Sequence, residues 1–362
     1  MRILNIIQCA NLGGMEQASL RLMRALQMRG HSFQLISLNP IEGLGPLLSK
    51  AGIPALGLDY ARSGRVSTFL KLRSMVTDSN ADALILTGHN FAATLALSGI
   101  GPKRRLYAVH FHHEGVMPDW RWRLIYRVAL REFQTVTFPS DYVRREAGAI
   151  YPPVRAIAET VRNPLELPPL PSKIHAADLR ARYGIPEQAP VVGNAGWLIE
   201  RKRFDVFLRV AARIYKVRPD IHFLIAGDGD QRGALESLAS ELNLSLYTHF
   251  IGWHTDLDPF YAAIDVLLFN SDWDCFPTTP VEAMARGIPV VASLLHGGLG
   301  EILDENTGWL LECHDEKALS LNVLEALRTE GSRRGMAGRD RVGTISEPGK
   351  IAEAIEHRLM GV

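Results

Sequence analysis

The stretch Asp265-Val-Leu-Leu-Phe-Asn-Ser-Asp-Trp-Asp-Cys-Phe-Pro-Thr-Thr-Pro-Val-Glu-Ala-Met-Ala-Arg-Gly-Ile-Pro-Val-Val291 decides the fold. A short apolar run at 266–269, a polar loop of turn formers, a compact helix stopping at Gly287 and a second apolar run (Ile288, Val290, Val291) spell a strand–loop–helix–strand unit. Units of this kind build parallel α/β sheets, whose ligands gather where the strands end. Two carboxylates, Asp274 and Glu282, fall at that edge. The order Thr279-Pro280-Val281-Glu282 places Glu282 in the first helical turn, with Pro at the first position. There it either closes a capping box on Thr279 or faces a phosphate beside free amides and the positive end of the helix dipole.

Outward from this unit the same rhythm repeats. Apolar runs at 3–7, 33–38, 55–58, 83–86, 106–109 and 135–138 read as strands, with helical periodicity clearest at 16–28 and 120–132. Prolines at 164, 168, 169 and 171 then exclude both helix and central strand, so 163–171 reads as a linker. Beyond it, strands are expected at 191–194, 222–226, 247–251, 266–269 and 289–292, and helices at 204–216, 231–242 and 279–286. The expected fold is α/β, two Rossmann-like doubly wound parallel-sheet domains. Their bounds are 1–165 and 166–345, with a closing helix in 346–362. A chain of 362 residues is long enough for two such cores.

Hydrophobic residues make up 47% and charged residues 22%, the balance of a soluble globular protein, and no apolar run reaches the roughly 18–20 residues of a membrane span. The apolar start at 1–7 is too short for a signal peptide and reads as the first strand. Cys9, Cys275 and Cys313 form no CxxC pair, so neither a disulfide framework nor a zinc site is implied and a cytoplasmic location is the expectation. The net charge of +1 conceals an asymmetry: residues 1–165 carry 20 Lys and Arg against 11 Asp and Glu, and the remainder 20 against 28. No nucleic-acid partner is expected.

Four further clusters carry chemistry. Gly13 and Gly14 precede a helix, where paired glycines allow close approach of an anion. His110, His112, His113 and Glu114 crowd one strand end, but strand alternation separates neighbours and argues against a metal cluster. Arg201, Lys202 and Arg203 stand at a helix start, an unfavourable place for cations unless an anion binds there. Ala226-Gly-Asp-Gly-Asp230 lacks the third glycine of a dinucleotide fingerprint, because Arg232 occupies its place.

The stretch 265–291 resembles the sugar-nucleotide site of retaining GT-B glycosyltransferases of family 4: two acids with seven residues between them, the second opening a Glu-Ala-Met-Ala-x-Gly-x-Pro-Val-Val run. Asp274 stands where that family usually has Glu, and Trp197 where it has an Arg. The resemblance implies two domains around an interdomain cleft. It also implies a nucleotide-diphospho-sugar donor, a glycan or lipid-linked acceptor, and no cofactor or metal. It assigns Glu282 to the ribose, Asp274 and His110 to the donor sugar (His112 being the runner-up), and Trp253 to the nucleobase side. Lys202, Arg201, the Gly13-Gly14 loop and the amides of Thr278 and Thr279 go to the diphosphate. A sugar-nucleotide epimerase or hydrolase, or a degenerate binding protein, are the alternatives. Finally, residues 120–131 mix Trp120, Trp122 and Tyr126 with Arg121, Arg123, Arg127 and Arg131, a composition that suits the anionic inner face of a membrane.

Overall fold

The computed structural model describes residues 1–60, 65–88, 90–111, 113 and 117–361. It divides the chain into two compact units, Met1–Leu165 with Ser346–Val362, and Glu166–Ile345.

In the first unit β1 (Arg2–Ile7), α1 (Gly14–Gln27), β2 (Ser32–Ser37), α2 (Gly45–Lys50), β3 (Ala55–Gly57) and α3 (Arg65–Asp78) come first. They are followed by β4 (Ala83–Thr87), α4 (Phe91–Ala96), β5 (Arg104–Ala108), α5 (Asp119–Glu132), β6 (Thr135–Phe138), α6 (Asp141–Ile150) and β7 (Ala158–Thr160). The strands form one parallel sheet in the order β3-β2-β1-β4-β5-β6-β7. Its central strands β1 and β4 are buried almost throughout, which is why they read as unbroken apolar runs rather than alternating ones.

The second unit runs α7 (Lys173–Arg182), β8 (Val191–Ala195), α8 (Phe204–Tyr215), β9 (His222–Ala226), α9 (Arg232–Glu241), β10 (Thr248–Gly252) and α10 (Asp258–Ala263). It continues with β11 (Val266–Asp274), α11 (Thr278–Ala285), β12 (Val290–Gly297), β13 (Trp309–Leu311), α12 (Glu316–Ala326) and α13 (Thr329–Ile345). Its parallel sheet has the order β10-β9-β8-β11-β12-β13. Val192, Phe223, Ile225, Val266, Leu268 and Val291 supply one face of the core, packed against Phe207, Val210 and Ile214 of α8.

The last helix, α14 (Pro348–Met360), belongs to the first unit. It buries Ile351, Ala352, Ile355 and Leu359, the last three in one core cluster with Leu20 and Met23 of α1, and Glu356 takes Arg29 and His31 as partners.

Two expectations need correction. β11 does not end at 269: Asn270 to Asp274, read as a polar loop, continue the ladder against β12 (Asn270↔Ser293, Trp273↔His296, Asp274↔Gly297). Polar residues hold a strand here because a partner strand takes up their backbone groups, which overrides propensity. Trp122 and Tyr126 are not interfacial aromatics: both are fully buried, stacked 5.9 Å apart, and only Trp120 of the three is exposed. His113, from the crowded strand end, is buried in the same core, with Nε2 2.5 Å from the Tyr126 hydroxyl and Nδ1 3.3 Å from Glu146, so it holds the fold together. His112 and Glu114 lie outside the described residues.

Candidate active site

Each unit brings its chemical groups to the carboxyl edge of its own sheet. In the first, the β1–α1 connection ends at Gly13, the N-cap of α1, which has no capping side chain. Early amides of α1 are therefore open to an anion. Gly13 has an ordinary negative φ, and the Glu16 carboxyl packs close against it: a Cβ there would stand 2.3 Å from Oε2 of Glu16, whose side chain would have to shift. That carboxyl is buried under the loop and accepts from the Cys9 thiol at 2.9 Å. Burial raises the Glu16 pKa, and burial with Glu16 beside it pushes the Cys9 thiol up to about 12. The sequence showed a Gly-Gly-x-Glu but nothing of this support.

Gly88, at the end of β4, sits between the two loops of interest. A Cβ there would lie 3.2 Å from the Met15 sulfur of α1 and 3.8 Å from the Phe111 ring. His110, one residue before Phe111 and two past β5, thus shares an edge with the Gly13-Gly14 turn. Burial pushes the His110 imidazole down to about 4, which favours its neutral form.

In the second unit the acid of β11 meets the basic stretch directly. Lys202 Nζ bonds Asp274 Oδ2, with the Arg201 guanidinium 3.6 Å from the same oxygen and 4.4 Å from the Trp273 ring centroid. Burial lowers the Lys202 pKa, and Asp274 works against that shift. These cations stand at the start of α8 as expected, Arg201 and Lys202 in a 3-10 turn, Glu200–Lys202, and Arg203 as the N-cap. Gly297 faces Asp274 across the ladder at φ +150°, where a Cβ would stand 1.9 Å from the Asp274 carbonyl. Only glycine lets the two strand tips close up at the acid.

The capping box is not formed. The N-cap of α11 is Pro277, without a side-chain cap, and Thr278 opens the helix, so Glu282 is its fifth residue and lies beyond the first turn. Its carboxylate instead accepts from the Tyr261 hydroxyl at 3.0 Å, and the Thr279 hydroxyl donates to the Ala195 carbonyl at 2.9 Å, tying α11 to the end of β8. The Thr278 and Thr279 amides, in the first turn, remain at an uncapped helix start. Tyr261 carried no signal in the sequence.

Trp253 is 39% exposed and lies against Trp197, 43% exposed, with ring centroids 4.3 Å apart. The two indoles follow β10 and β8. Among the described residues no three His, Cys, Asp or Glu side chains are grouped as metal ligands, and no helix is long and apolar enough to cross a membrane.

Comparison with known families agrees with this geometry. The family model "Glycosyl transferases group 1" matches residues 176–341, and "Glycosyl transferase 4-like domain" matches 13–164. The chain belongs to the group 1 glycosyltransferases. This glycosyltransferase is 26% identical, over 92% of its length and 91% of the other's, to a Campylobacter jejuni α-1,4-N-acetyl-D-galactosaminyltransferase acting on an undecaprenol-diphosphate-linked saccharide. It is 31% identical to the lipopolysaccharide core biosynthesis glycosyltransferase LpsE of Rhizobium meliloti, over 43% of this chain and less than half (46%) of that protein. Among solved structures, Anabaena HepE with UDP and glucose superposes at a TM-score of 0.87 with 19% identity over both whole chains, which establishes the GT-B fold. Sucrose-phosphate synthase of Thermosynechococcus elongatus gives 0.77, at 20% identity over 100% of this chain and 99% of that one.

Proposed function

We propose that the chain is a retaining, metal-independent hexosyltransferase that moves a sugar from a nucleotide-diphospho-sugar to an acceptor hydroxyl in cell-surface glycan or glycolipid synthesis. The observation carrying this is the Lys202–Asp274 pair, set at a strand tip beside the uncapped start of α11 in a chain of this family. The cation suits a diphosphate, the acid a sugar hydroxyl.

In this reading the bond between the anomeric carbon and the diphosphate oxygen breaks. The acceptor oxygen attacks from the same face, and the acceptor proton passes to the departing phosphate. Lys202, Arg201, and the amides of Gly13, Gly14, Thr278 and Thr279 meet the charge that develops on the leaving group, a preorganised electrostatic role. Pro277 has no N–H to offer. Asp274 and neutral His110 hold the donor sugar, Glu282 the ribose, and Trp253 the base. HepE was solved with UDP and glucose, and the Campylobacter relative acts on a lipid-linked saccharide; both support the proposed substrate classes.

A thermal-shift series of nucleoside diphosphates and their sugars tests the donor. A ligand at about a hundred times its Kd stabilises by about 2.7 kcal/mol. No shift with any of them, at millimolar concentration, would refute the assignment.

The acceptor is proposed to be lipid-borne, with the first unit lying on the cytoplasmic face of a membrane. Arg121, Arg123, Arg127 and Arg131 are exposed along α5 with Trp120, over which the Arg121 guanidinium sits 5.2 Å from the ring centroid. Each cation near an anionic surface contributes about 1 kcal/mol, so reversing Arg123 and Arg127 to Glu should cut binding to phosphatidylserine vesicles about tenfold or more. Co-sedimentation that is indifferent to lipid charge and salt would favour a soluble acceptor.

A further inference from the structure

The tip of β11 carries Asp274, yet the neighbouring strand abandons it. β8 pairs with β11 only through Val192↔Val266 and Gly193↔Leu267, whereas β12 continues to Asp274. The 3-10 turn takes over the uncovered side: the Arg201 carbonyl (3.2 Å) shares the Ser271 hydroxyl proton with the Trp273 carbonyl (3.0 Å), Arg201 donates to the Trp273 carbonyl (3.1 Å), and Lys202 reaches Asp274. Arg203 completes the contact, its Nη1 donating to Asp272 Oδ1 at 3.1 Å while Nε and Nη2 form a fork on Asp205 at 3.0 and 3.1 Å.

This contact is made against the backbone. Arg203 sits at φ +46°, ψ +43°, a left-handed conformation costing a residue with a Cβ about 1–2 kcal/mol. Its charge-assisted bonds to two carboxylates offset that cost. Asp272 has a second brace. Asn270 Nδ2 donates to Ser293 Oγ (2.7 Å), which leaves the Ser293 hydroxyl proton for His314 Nδ1 (2.7 Å), so His314 Nε2–H donates to Asp272 (3.0 Å). One chain of bonds joins β11, β12, the segment after β13, the 3-10 turn and α8.

We propose that Arg203 is a positioning residue of the donor site, holding the Lys202 turn against the β11 tip through Asp272 and Asp205, with His314 as the second brace on Asp272. The proposal rests on the donor reading above. It explains why three cations stand together: Arg201 and Lys202 face the acid at the strand tip, and Arg203 fixes the turn that presents them.

Arg203→Gly, Arg203→Lys and His314→Ala test it with two readouts. In the unliganded protein, amide exchange at 270–274 should rise about tenfold or more in Arg203→Gly and His314→Ala, with little change in Tm for Arg203→Gly because glycine relieves the strained φ. Nucleoside-diphosphate affinity should fall about tenfold with nucleoside affinity unchanged, and Arg203→Lys should recover part of it. Unchanged exchange at 270–274, or equal loss for nucleoside and nucleoside diphosphate, would overturn the positioning role. If exchange responds but the wild-type protein binds no nucleoside diphosphate, the donor reading has failed and the clamp is purely structural.

Discussion

Lys202→Ala lowers nucleoside-diphosphate affinity by about ten- to a hundredfold and leaves nucleoside affinity within about twofold. A hydrogen bond to a charged group is worth about 1.5–3 kcal/mol, and each 1.4 kcal/mol is a factor of ten. The ammonium is set up for this. Burial lowers its pKa, so it is poorly hydrated and gains from a further anion, and the ring of Phe269 lies 5.0 Å away. Removing it leaves Asp274 beside Arg201 at 3.6 Å, so the carboxylate is not stranded and the fold should survive the substitution. Isothermal titration with the nucleoside, its diphosphate and inorganic pyrophosphate separates the terms. An equal loss for nucleoside and diphosphate would mean that Lys202 shapes the site instead of holding phosphate.

What could be read in advance follows from where the information resides. The strands of both sheets were legible because parallel strands covered on both faces need apolar residues at consecutive positions, as in Leu84-Ile-Leu86 and Val266-Leu-Leu-Phe269. The tip of β11 was not, because Asn270 to Asp274 are strand only by virtue of β12 and the 3-10 turn beside them. The helical period also foretold more of α5 than was drawn from it: Trp122, Ile125, Tyr126 and Ala129 make one buried stripe, while the arginines take the other side. Composition alone had grouped the aromatics with the arginines. Lys202 and Asp274 are 72 positions apart, and no local pattern joins them; only the resemblance placed both at a donor. Arg203 was visible as one of three cations, but its left-handed backbone and its carboxylate partners depend on β11 and α8 meeting. Tyr261 and His314 gave no signal, since a single tyrosine or histidine acquires meaning from the group it faces.

The second large effect separates the two acids. Asp274→Asn should suppress turnover about ten- to a hundredfold, the value of one charge-assisted hydrogen bond to a sugar hydroxyl, while nucleoside-diphosphate affinity holds or rises. The rise has a simple origin: in the unliganded protein Lys202 is engaged with Asp274, and a diphosphate must compete for it. An amide of the same size ends that competition. Glu282→Gln should act in the opposite sense, weakening the nucleoside and its diphosphate alike, because a neutral side chain is the poorer acceptor for the ribose hydroxyls. The Glu282 carboxylate also receives the Tyr261 hydroxyl, so the substitution tests a structural role at the same time. A lower Tm with unchanged nucleoside affinity would make Glu282 a brace for Tyr261 and remove it from the donor site. Asp274→Asn has its own failing outcome: if it weakens diphosphate binding as much as Lys202→Ala does, the carboxylate serves only to hold the lysine in place, and the contact with the donor sugar must come from another group.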